Sequence, residues 1–135
     1  MTQEEKKNLL LRDLCARLPY NVYINDRGTP NKLINVCWDG IKFVVNCSPF
    51  GTGHGRVGTP LFDGDVCYVK PYLRPMSSMT EEEKMKLSLS QIYAFTHYNE
   101  IAKIDWLNEH HFDYRGLIDR GLAIEVTEEN NPYKN

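Results

Sequence analysis

The sequence has few of the features that indicate a particular chemistry or location. Its 135 residues contain no apolar run of the roughly 18 to 20 residues that a membrane-spanning helix needs. The four cysteines include no C-x-x-C pair, and the N-terminus lacks the charged and then apolar pattern of a signal peptide. We therefore expect a cytoplasmic protein with reduced thiols, no membrane association and no cofactor.

An excess of one charge sign is also missing. The 16 Lys and Arg residues nearly balance the 18 Asp and Glu residues, which gives a formal net charge of −2 at pH 7. Such a chain has no overall field that would attract a phosphate backbone. Nucleic-acid binding is therefore disfavoured and would need a local patch. The candidate cations for such a patch are Lys42, Arg56, Lys70 and Arg74.

The length and composition are those of one globular domain. A chain of 135 residues can bury a core without disulfides or metals, and its 41% hydrophobic and 25% charged residues are ordinary proportions. The C-terminal residues TEENNPYKN are polar and lack any capping pattern. We predict a single α+β domain over 1–126 and a flexible tail over 127–135.

The first half combines a helix with a β-rich region. Thr2 and Glu5 form the T-x-x-E pattern of a capping box, and leucines recur behind it at helical spacing. This pattern predicts a helix over 3–17, ended by Pro19. The predicted strands are 21–24, 32–38, 41–47 and 65–73, with Asp39-Gly40 in a tight hairpin turn. We expect a small antiparallel sheet or a partly open SH3-like barrel of about four to five strands.

The second half is predicted to contain two to three helices. Thr80 and Glu83 form another capping box, so a helix should begin near Glu81. Its apolar face is either Leu87, Gln91 and Ala94 or Leu89, Ile92 and Tyr93, and the sequence leaves 87–98 open between helix and extended chain. The remaining predictions are a helix from Asn99 to about His110, a short helix from an Asp113 N-cap to Gly121, and a strand over 122–126.

One glycine-rich stretch matches the pattern of a dinucleotide-binding loop. Gly53 to Gly58 reads G-x-G-x-x-G, but such a loop needs a following helix whose N-terminal amides meet the pyrophosphate. The next residues, TPLFDGD, contain a proline and a turn and cannot supply that helix. We therefore predict a long connection between strands. If this connection binds a partner, the predicted contacts are Phe50, His54 and Arg56.

Titratable residues cluster near the C-terminus, in the segment DWLNEHHFDYRGL. A metal site for a hydrolase could be formed by Asp105, Glu109, His110 and His111, because the two acids are four residues apart on a helix. The pattern is not H-E-x-x-H, however, and adjacent histidines diverge by about 100° on a helix. The alternative is helix-end packing, in which the histidines complement the helix dipole. From this segment the candidate binding residues are Trp106, His110, His111 and Tyr114.

Two segments resemble a known family. KPYLRPMSSMTEEEK, over 70–84, and IDWLNEHHFDYRGLIDRGLA, over 104–123, are similar to small uncharacterised proteins common in gut Bacteroidales and their mobile elements. The opening, with LCARLPY over 14–20, is similar as well. The resemblance implies a bacterial or phage-borne cytoplasmic protein. It implies no activity, cofactor or catalytic residue.

Three classes of function stay open. The lack of a catalytic constellation, together with aromatic residues beside turns, favours a non-enzymatic protein–protein interaction module. Such a module would be a monomer or a weak homodimer that binds another protein. The alternatives are a metal-assisted hydrolase that uses the cluster of acids and histidines, and a nucleic-acid-binding barrel.

Overall fold

The computed structural model describes residues 1–26, 28–48, 58–93 and 99–134. Within these residues an N-terminal helix is followed by a four-stranded antiparallel sheet and then by two further helices. The predicted α+β class is therefore confirmed. No helix in the described ranges is long and apolar enough to cross a membrane.

The first helix, α1 (Gln3–Arg17), has the predicted bounds. Its capping box forms because the Thr2 hydroxyl accepts a hydrogen bond from the Glu5 amide at 3.1 Å, and the Glu5 carboxylate accepts one from the Thr2 amide at 2.9 Å. A 3-10 helix at Leu18–Tyr20, which contains the predicted proline stop, ends α1. The chain then turns at Asn21, which has a left-handed backbone with φ of 59°.

The predicted antiparallel sheet forms from four strands in the order β1-β2-β3-β4. The strands are β1 (Tyr23–Asp26), β2 (Thr29–Trp38), β3 (Phe43–Ser48) and β4 (Thr59–Pro60). Trp38 pairs with Phe43, so four residues connect β2 to β3. In this loop one Asp39 oxygen accepts hydrogen bonds from the amides of Ile41 and Lys42, both at 2.8 Å. Asp39 and Gly40 lie in the turn as predicted, but the loop is longer than a two-residue hairpin turn.

A β-bulge in β2 decides which of its side chains face the core. The register with β3 shifts between Leu33 and Asn35, so Ile34 is an extra residue on β2. Leu33 and Val36 both pack in the core, whereas Ile34 is 43% exposed. A regular alternation would place Ile34 on the same face as Val36, but the inserted residue exchanges the two faces, so Ile34 is exposed while Val36 packs in the core.

The strand predicted over 65–73 is instead divided between two small sheets. A hairpin is formed by β5 (Phe62–Asp63) and β6 (Val66–Cys67), and β7 (Tyr72–Leu73) pairs in parallel with β8 (Ile124–Glu125). The last of these lies within the strand predicted over 122–126. The barrel alternative gains no support from the strands that the structure describes.

The helical region contains α2 (Glu81–Tyr93) and α3 (Asn99–Glu109), close to the predicted bounds. At the start of α2 the second capping box forms as predicted: the Thr80 hydroxyl accepts from the Glu83 amide at 3.1 Å, and the Glu83 carboxylate accepts from the Thr80 amide at 3.0 Å. The stretch that the sequence left open is helical as far as the end of α2. Residues 94–98 lie outside the described residues.

Leu87 selects between the two predicted faces of α2. It packs against a core cluster, whereas Leu89 is 44% exposed, so the face that begins with Leu87 is turned inward. The other two predicted members of that face, Gln91 and Ala94, have side chains outside the described part of the chain.

The short helix predicted from Asp113 to Gly121 is instead a succession of turns. The Asp113 carboxylate accepts hydrogen bonds from the amides of Leu117 at 2.8 Å and Ile118 at 3.0 Å, four and five residues further on, rather than from the second or third residue as an N-cap would. The Leu122 amide donates to the Leu117 carbonyl at 2.9 Å, and Gly121 has a positive φ of 73°. Because Asp113 does not cap a helix that starts at Tyr114, and the chain already closes on the Leu117 carbonyl, the predicted helix does not form.

The buried apolar residues form two clusters. The larger one combines side chains from α1, the sheet and the C-terminal turns, including Leu10, Leu14, Ile24, Leu33, Val45 and Leu117. The smaller one contains Trp106, Leu107 and Phe112, with Met79, Leu87 and Tyr114 packed against it. The second cluster connects α2 and α3 to the chain that follows α3.

The C-terminal segment, predicted to be a flexible tail, is attached through Tyr133. The Tyr133 hydroxyl donates a hydrogen bond to the Tyr72 carbonyl at 2.7 Å and accepts one from the Tyr23 amide at 3.1 Å. Its ring stacks on His111 with the centroids 3.6 Å apart and meets the Tyr23 ring edge-on at 5.5 Å. One aromatic side chain thus docks a segment whose composition is otherwise polar, and the flexibility of the tail over 127–135 stays a prediction.

We expect Tyr133→Phe to lower the free energy of unfolding by about 1–3 kcal/mol, because the Tyr72 carbonyl and the Tyr23 amide both lose a partner. Chemical denaturation measures this difference. Tyr68→Phe is the matched control: its hydroxyl, 3.4 Å from an Asp63 oxygen, belongs to an exposed side chain, so we expect a change within about 0.5 kcal/mol. Equal effects of the two substitutions would contradict the docking role of Tyr133.

Candidate functional site

Three candidate binding residues, Phe50, His54 and Arg56, lie outside the described residues. Of the glycine pattern only Gly58 is described. A β-carbon at Gly58 would lie 2.8 Å from the Val45 carbonyl oxygen, so the missing side chain allows close packing against β3. The next residues form β4 rather than the helix that a pyrophosphate loop requires, in agreement with the sequence prediction.

Trp106 belongs to the smaller core cluster rather than to a contact surface. It is only 8% exposed, and its ring stacks on Phe112 at 5.8 Å and on His110 at 4.0 Å. His110 Nδ1 lies 2.9 Å from the Trp106 carbonyl oxygen. These contacts at the end of α3 agree with the helix-end interpretation of the two residues.

A buried arginine connects α1 to the chain that follows α3. Arg17 is fully buried; its Nε donates a hydrogen bond to Asp13 at 2.8 Å, and its Nη2 donates one to the Phe112 carbonyl at 2.6 Å. Burial raises the pKa of Asp13, and the charge of Arg17 opposes that shift. The second Asp13 oxygen lies 3.8 Å from Arg115 Nε. Since a buried charge without its partner costs several kcal/mol, this pair holds α1 to Phe112.

A second arginine, Arg74, lies over the Phe112 ring, 4.2 Å from its centroid. It donates to both oxygens of Glu83, at 2.6 and 2.7 Å, and these hydrogen bonds hold the pKa of Glu83 at about 2. Its main chain exchanges hydrogen bonds with the carbonyl of His111 and the amide of Asp113, each at 2.8 Å. Arg74, one of the candidate cations for nucleic-acid binding, is therefore engaged in an internal ion pair.

Tyr114 is a half-buried residue whose polar group is already used. Its hydroxyl donates to Asn108 at 2.9 Å and accepts from Arg115 at 3.2 Å. The Arg17 guanidinium lies 5.2 Å from its ring centroid. Tyr114 thus packs beside the buried Arg17, and its hydroxyl is used within the protein rather than offered to a partner.

His111 is the described candidate that lines a cleft. It follows α3 with a positive φ of 64°, and its Nδ1 is buried without a hydrogen-bond partner among the described residues. Burial, reinforced by the positive charge of Arg17, lowers the pKa of His111 to about 3, so the ring is neutral near pH 7. The cleft has a volume of about 460 Å³. Its lining includes Pro19, Tyr20, Asn21, Tyr23, Glu109, Pro132 and Tyr133.

The residues of the metal alternative do not converge. Asp105 and Glu109 are exposed on α3, and the rings of His110 and His111 stack on different aromatic neighbours. Across the described ranges, no group of three or more His, Cys, Asp and Glu side chains is arranged to hold a metal ion. The hydrolase alternative therefore gains no geometric support.

An apolar groove lies beside α1, at residues that the sequence reasoning missed. Trp38, Ile41 and Phe43, at the tip of the β2–β3 hairpin, are 57%, 81% and 38% exposed. The rings of Trp38 and Phe43 meet edge-on with centroids 5.0 Å apart. Between this tip and α1 the groove encloses about 270 Å³. The other lining residues include Glu4, Lys7, Asn8, Leu11, Leu61 and Phe62.

The signal for this groove is a pair of apolar residues around a turn. Trp38 and Ile41 flank Asp39-Gly40, and turn residues are ordinarily exposed. The sequence prediction placed Ile41 at the start of a strand, which implied a buried position. In a four-residue loop both side chains lie at the surface, and an exposed apolar pair indicates contact with another molecule.

Comparisons of the chain with family models, with curated proteins and with solved structures found no match. The resemblance of residues 70–84 and 104–123 to a family of Bacteroidales proteins therefore stays a prediction.

The buried, neutral His111 predicts a pH-dependent stability. Its folded pKa of about 3 lies below the ordinary histidine value of 6.5. Between these two pH values the unfolded chain binds more protons than the folded one, so stability is lost as the pH falls below 6.5. For this group alone we expect a loss of about 2 kcal/mol between pH 7.5 and pH 5, measured by urea denaturation.

His111→Asn should remove this part of the pH dependence, and asparagine tolerates the positive φ at that position. The control is His110→Gln, which leaves the buried ring in place and should retain the loss due to His111. A slope that His111→Asn does not change would contradict the assignment.

Proposed function

We propose that the protein is a non-enzymatic interaction module and that the groove between α1 and the β2–β3 hairpin is its binding surface. The observation that carries this proposal is the joint exposure of Trp38, Ile41 and Phe43 at one edge of a groove. Large apolar side chains that are exposed together commonly mark a contact with another molecule. Tryptophan is also among the residue types that contribute most to binding energy at interfaces.

The hairpin tip is held in a defined shape. The two amide hydrogen bonds that Asp39 accepts within the loop fix the backbone of Ile41 and Lys42, and they lower the pKa of Asp39. The edge-on contact between Trp38 and Phe43 fixes the two rings relative to each other. A surface that is ordered before binding loses less conformational entropy when the partner arrives.

The charges around the groove indicate the chemistry of the partner. Lys7, whose Nζ lies 5.9 Å from the Phe62 ring centroid, and Lys42 line the groove, and Glu4 is the acidic residue of the lining. Because Lys42 lies 3.4 Å from Asp39, Lys7 is the cation of the lining that favours a segment with an acidic residue beside its apolar ones. We therefore propose as occupant a short segment of another protein with apolar side chains flanked by acidic ones.

The two alternatives have less support. The acids and histidines of the metal alternative are dispersed, as described above. In the nucleic-acid alternative, Lys42 lies 3.4 Å from Asp39 and Arg74 lies 2.6 Å from Glu83, which reduces the positive charge that either offers to a phosphate. The cytoplasmic location and the monomeric or weakly dimeric state stay predictions.

The proposal is tested with a random peptide library displayed on phage and selected against the whole protein. We expect enrichment of peptides with two or three apolar residues flanked by Asp or Glu. For a synthetic copy of an enriched peptide, Trp38→Ser should weaken binding by about tenfold or more, measured by calorimetry, because an aromatic anchor of an interface contributes more than about 1.4 kcal/mol.

Ile101→Ser is the matched control, since Ile101 is 55% exposed on α3 and does not line the groove. It should leave the affinity within about twofold. Peptides whose binding is insensitive to Trp38→Ser, or a selection that enriches basic sequences, would contradict the proposed surface.

A further inference from the structure

The cleft at the C-terminal end of α1 combines two unusual backbone positions with one unpartnered nitrogen. Among the described residues, Asn21 and His111 are the non-glycine residues with positive φ, 59° and 64°, and both line this cleft. His111 Nδ1 is buried without a hydrogen-bond partner in the described part of the chain. Uncommon backbone conformations and unsatisfied polar atoms both concentrate at binding sites, and here they coincide.

Four of the eight described residues that line the cleft carry an aromatic ring. His111 and Tyr133 stack at 3.6 Å with their planes 10° apart, and Tyr23 meets Tyr133 edge-on. The Tyr133 hydroxyl is occupied by main-chain groups of Tyr72 and Tyr23, so this residue offers its ring rather than its polar group. Tyr20 adds a fourth ring at the mouth. Aromatic rings carry negative charge on their faces, which attracts cations.

The charged residues near the cleft also favour a cation. Glu109 is the charged residue of its described lining, and it is exposed at the mouth. The negative charges of Asp105 and Glu109 add to burial in raising the pKa of Tyr20, so both carboxylates act at this position. His111 is neutral near pH 7 and adds no positive charge.

The two arginines nearest the cleft are ion-paired, although the charges of Arg17 and Arg74 still contribute to lowering the pKa of His111. Arg17 is paired with Asp13 at 2.8 Å, and Arg74 is paired with Glu83 at 2.6 Å. This pairing weakens the repulsion that an incoming cation would meet, and Glu109 lies in the same lining as the rings.

We propose that this cleft binds an organic cation, a quaternary ammonium or a guanidinium group, against the rings of Tyr20, Tyr23 and His111 with Glu109 as counter-ion. The ligand chemistry follows from the combination of aromatic faces and one carboxylate, which is the usual way in which proteins recognise alkylated ammonium groups. The site is separate from the apolar groove and does not rest on the proposed function.

The test titrates the whole protein with choline and, in parallel, with its uncharged analogue, in which a tert-butyl group replaces the trimethylammonium. Nuclear magnetic resonance follows the ring signals of His111 and the tyrosines. We expect choline to saturate these chemical-shift changes in the millimolar range, because so small a ligand gains little binding energy. The affinity of the uncharged analogue should be lower by at least about tenfold. Equal binding of the two compounds, or no saturable shift with choline or with N-acetylarginine amide, would overturn the proposal.

Two substitutions locate the site. Glu109→Gln keeps the size of an exposed side chain, and Tyr20→Leu removes a ring but keeps an apolar residue; each should weaken cation binding by about three- to tenfold. Glu100→Gln, on the same helix but outside the lining, is the control and should leave the affinity unchanged. An equal loss in Glu100→Gln would indicate a general charge effect and contradict a specific site.

N-Acetylarginine amide, titrated alongside choline, distinguishes the source of the cation. Tighter binding of choline identifies a free ammonium compound, and tighter binding of the arginine derivative identifies a basic side chain of a protein partner. Trp38→Ser should leave the binding of either compound unchanged, because Trp38 does not line the cleft. The cation site and the interaction module can therefore fail independently of each other.

Discussion

The buried charge of Arg17 is the constraint on which the arrangement of the two halves depends. Its guanidinium bridges Asp13, one turn earlier in α1, and the Phe112 carbonyl, which lies 95 residues further along the chain. A fully buried cation is tolerable only where its partners are in place, because removal of one partner leaves an uncompensated charge. The position of α1 relative to the end of α3 is therefore tightly defined.

Phe112 extends this constraint to the helical half. Its ring contacts the Arg74 guanidinium and stacks on the Trp106 ring, and Arg74 in turn holds Glu83 near the start of α2. One residue thus connects α1, the chain after β7, α2 and α3. Polar groups with several required partners specify a single arrangement better than apolar contacts alone.

Both proposed binding surfaces depend on the placement of α1. Lys7 and Leu11 of α1 line the apolar groove, and Tyr20, just beyond the end of α1, lines the aromatic cleft. A displacement of α1 would change the width of the groove and the position of Tyr20 together. The two surfaces are distinct in chemistry but have a common support.

Local patterns in the sequence predicted local structure well, and the failures have physical causes. Both capping boxes form because each needs only residues three positions apart. The face exchange at Ile34 could not be predicted, since a bulge is set by pairing with a distant strand. The docking of Tyr133 and the burial of Arg17 likewise depend on long-range partners. The candidate site at His111 was found through its titratable neighbours, whereas the hairpin tip was missed because Ile41 was assigned to a strand.

The most direct test of this account is a double-mutant cycle between Asp13 and Arg17, with the free energy of unfolding measured for Asp13→Leu, Arg17→Met and the combined variant. We expect each single substitution to cost about 3–5 kcal/mol, because it leaves one buried charge unpaired. The combined variant should cost clearly less than the sum, since both charges are then removed. Small and additive effects, within about 0.5 kcal/mol for each substitution, would contradict the central role of this ion pair.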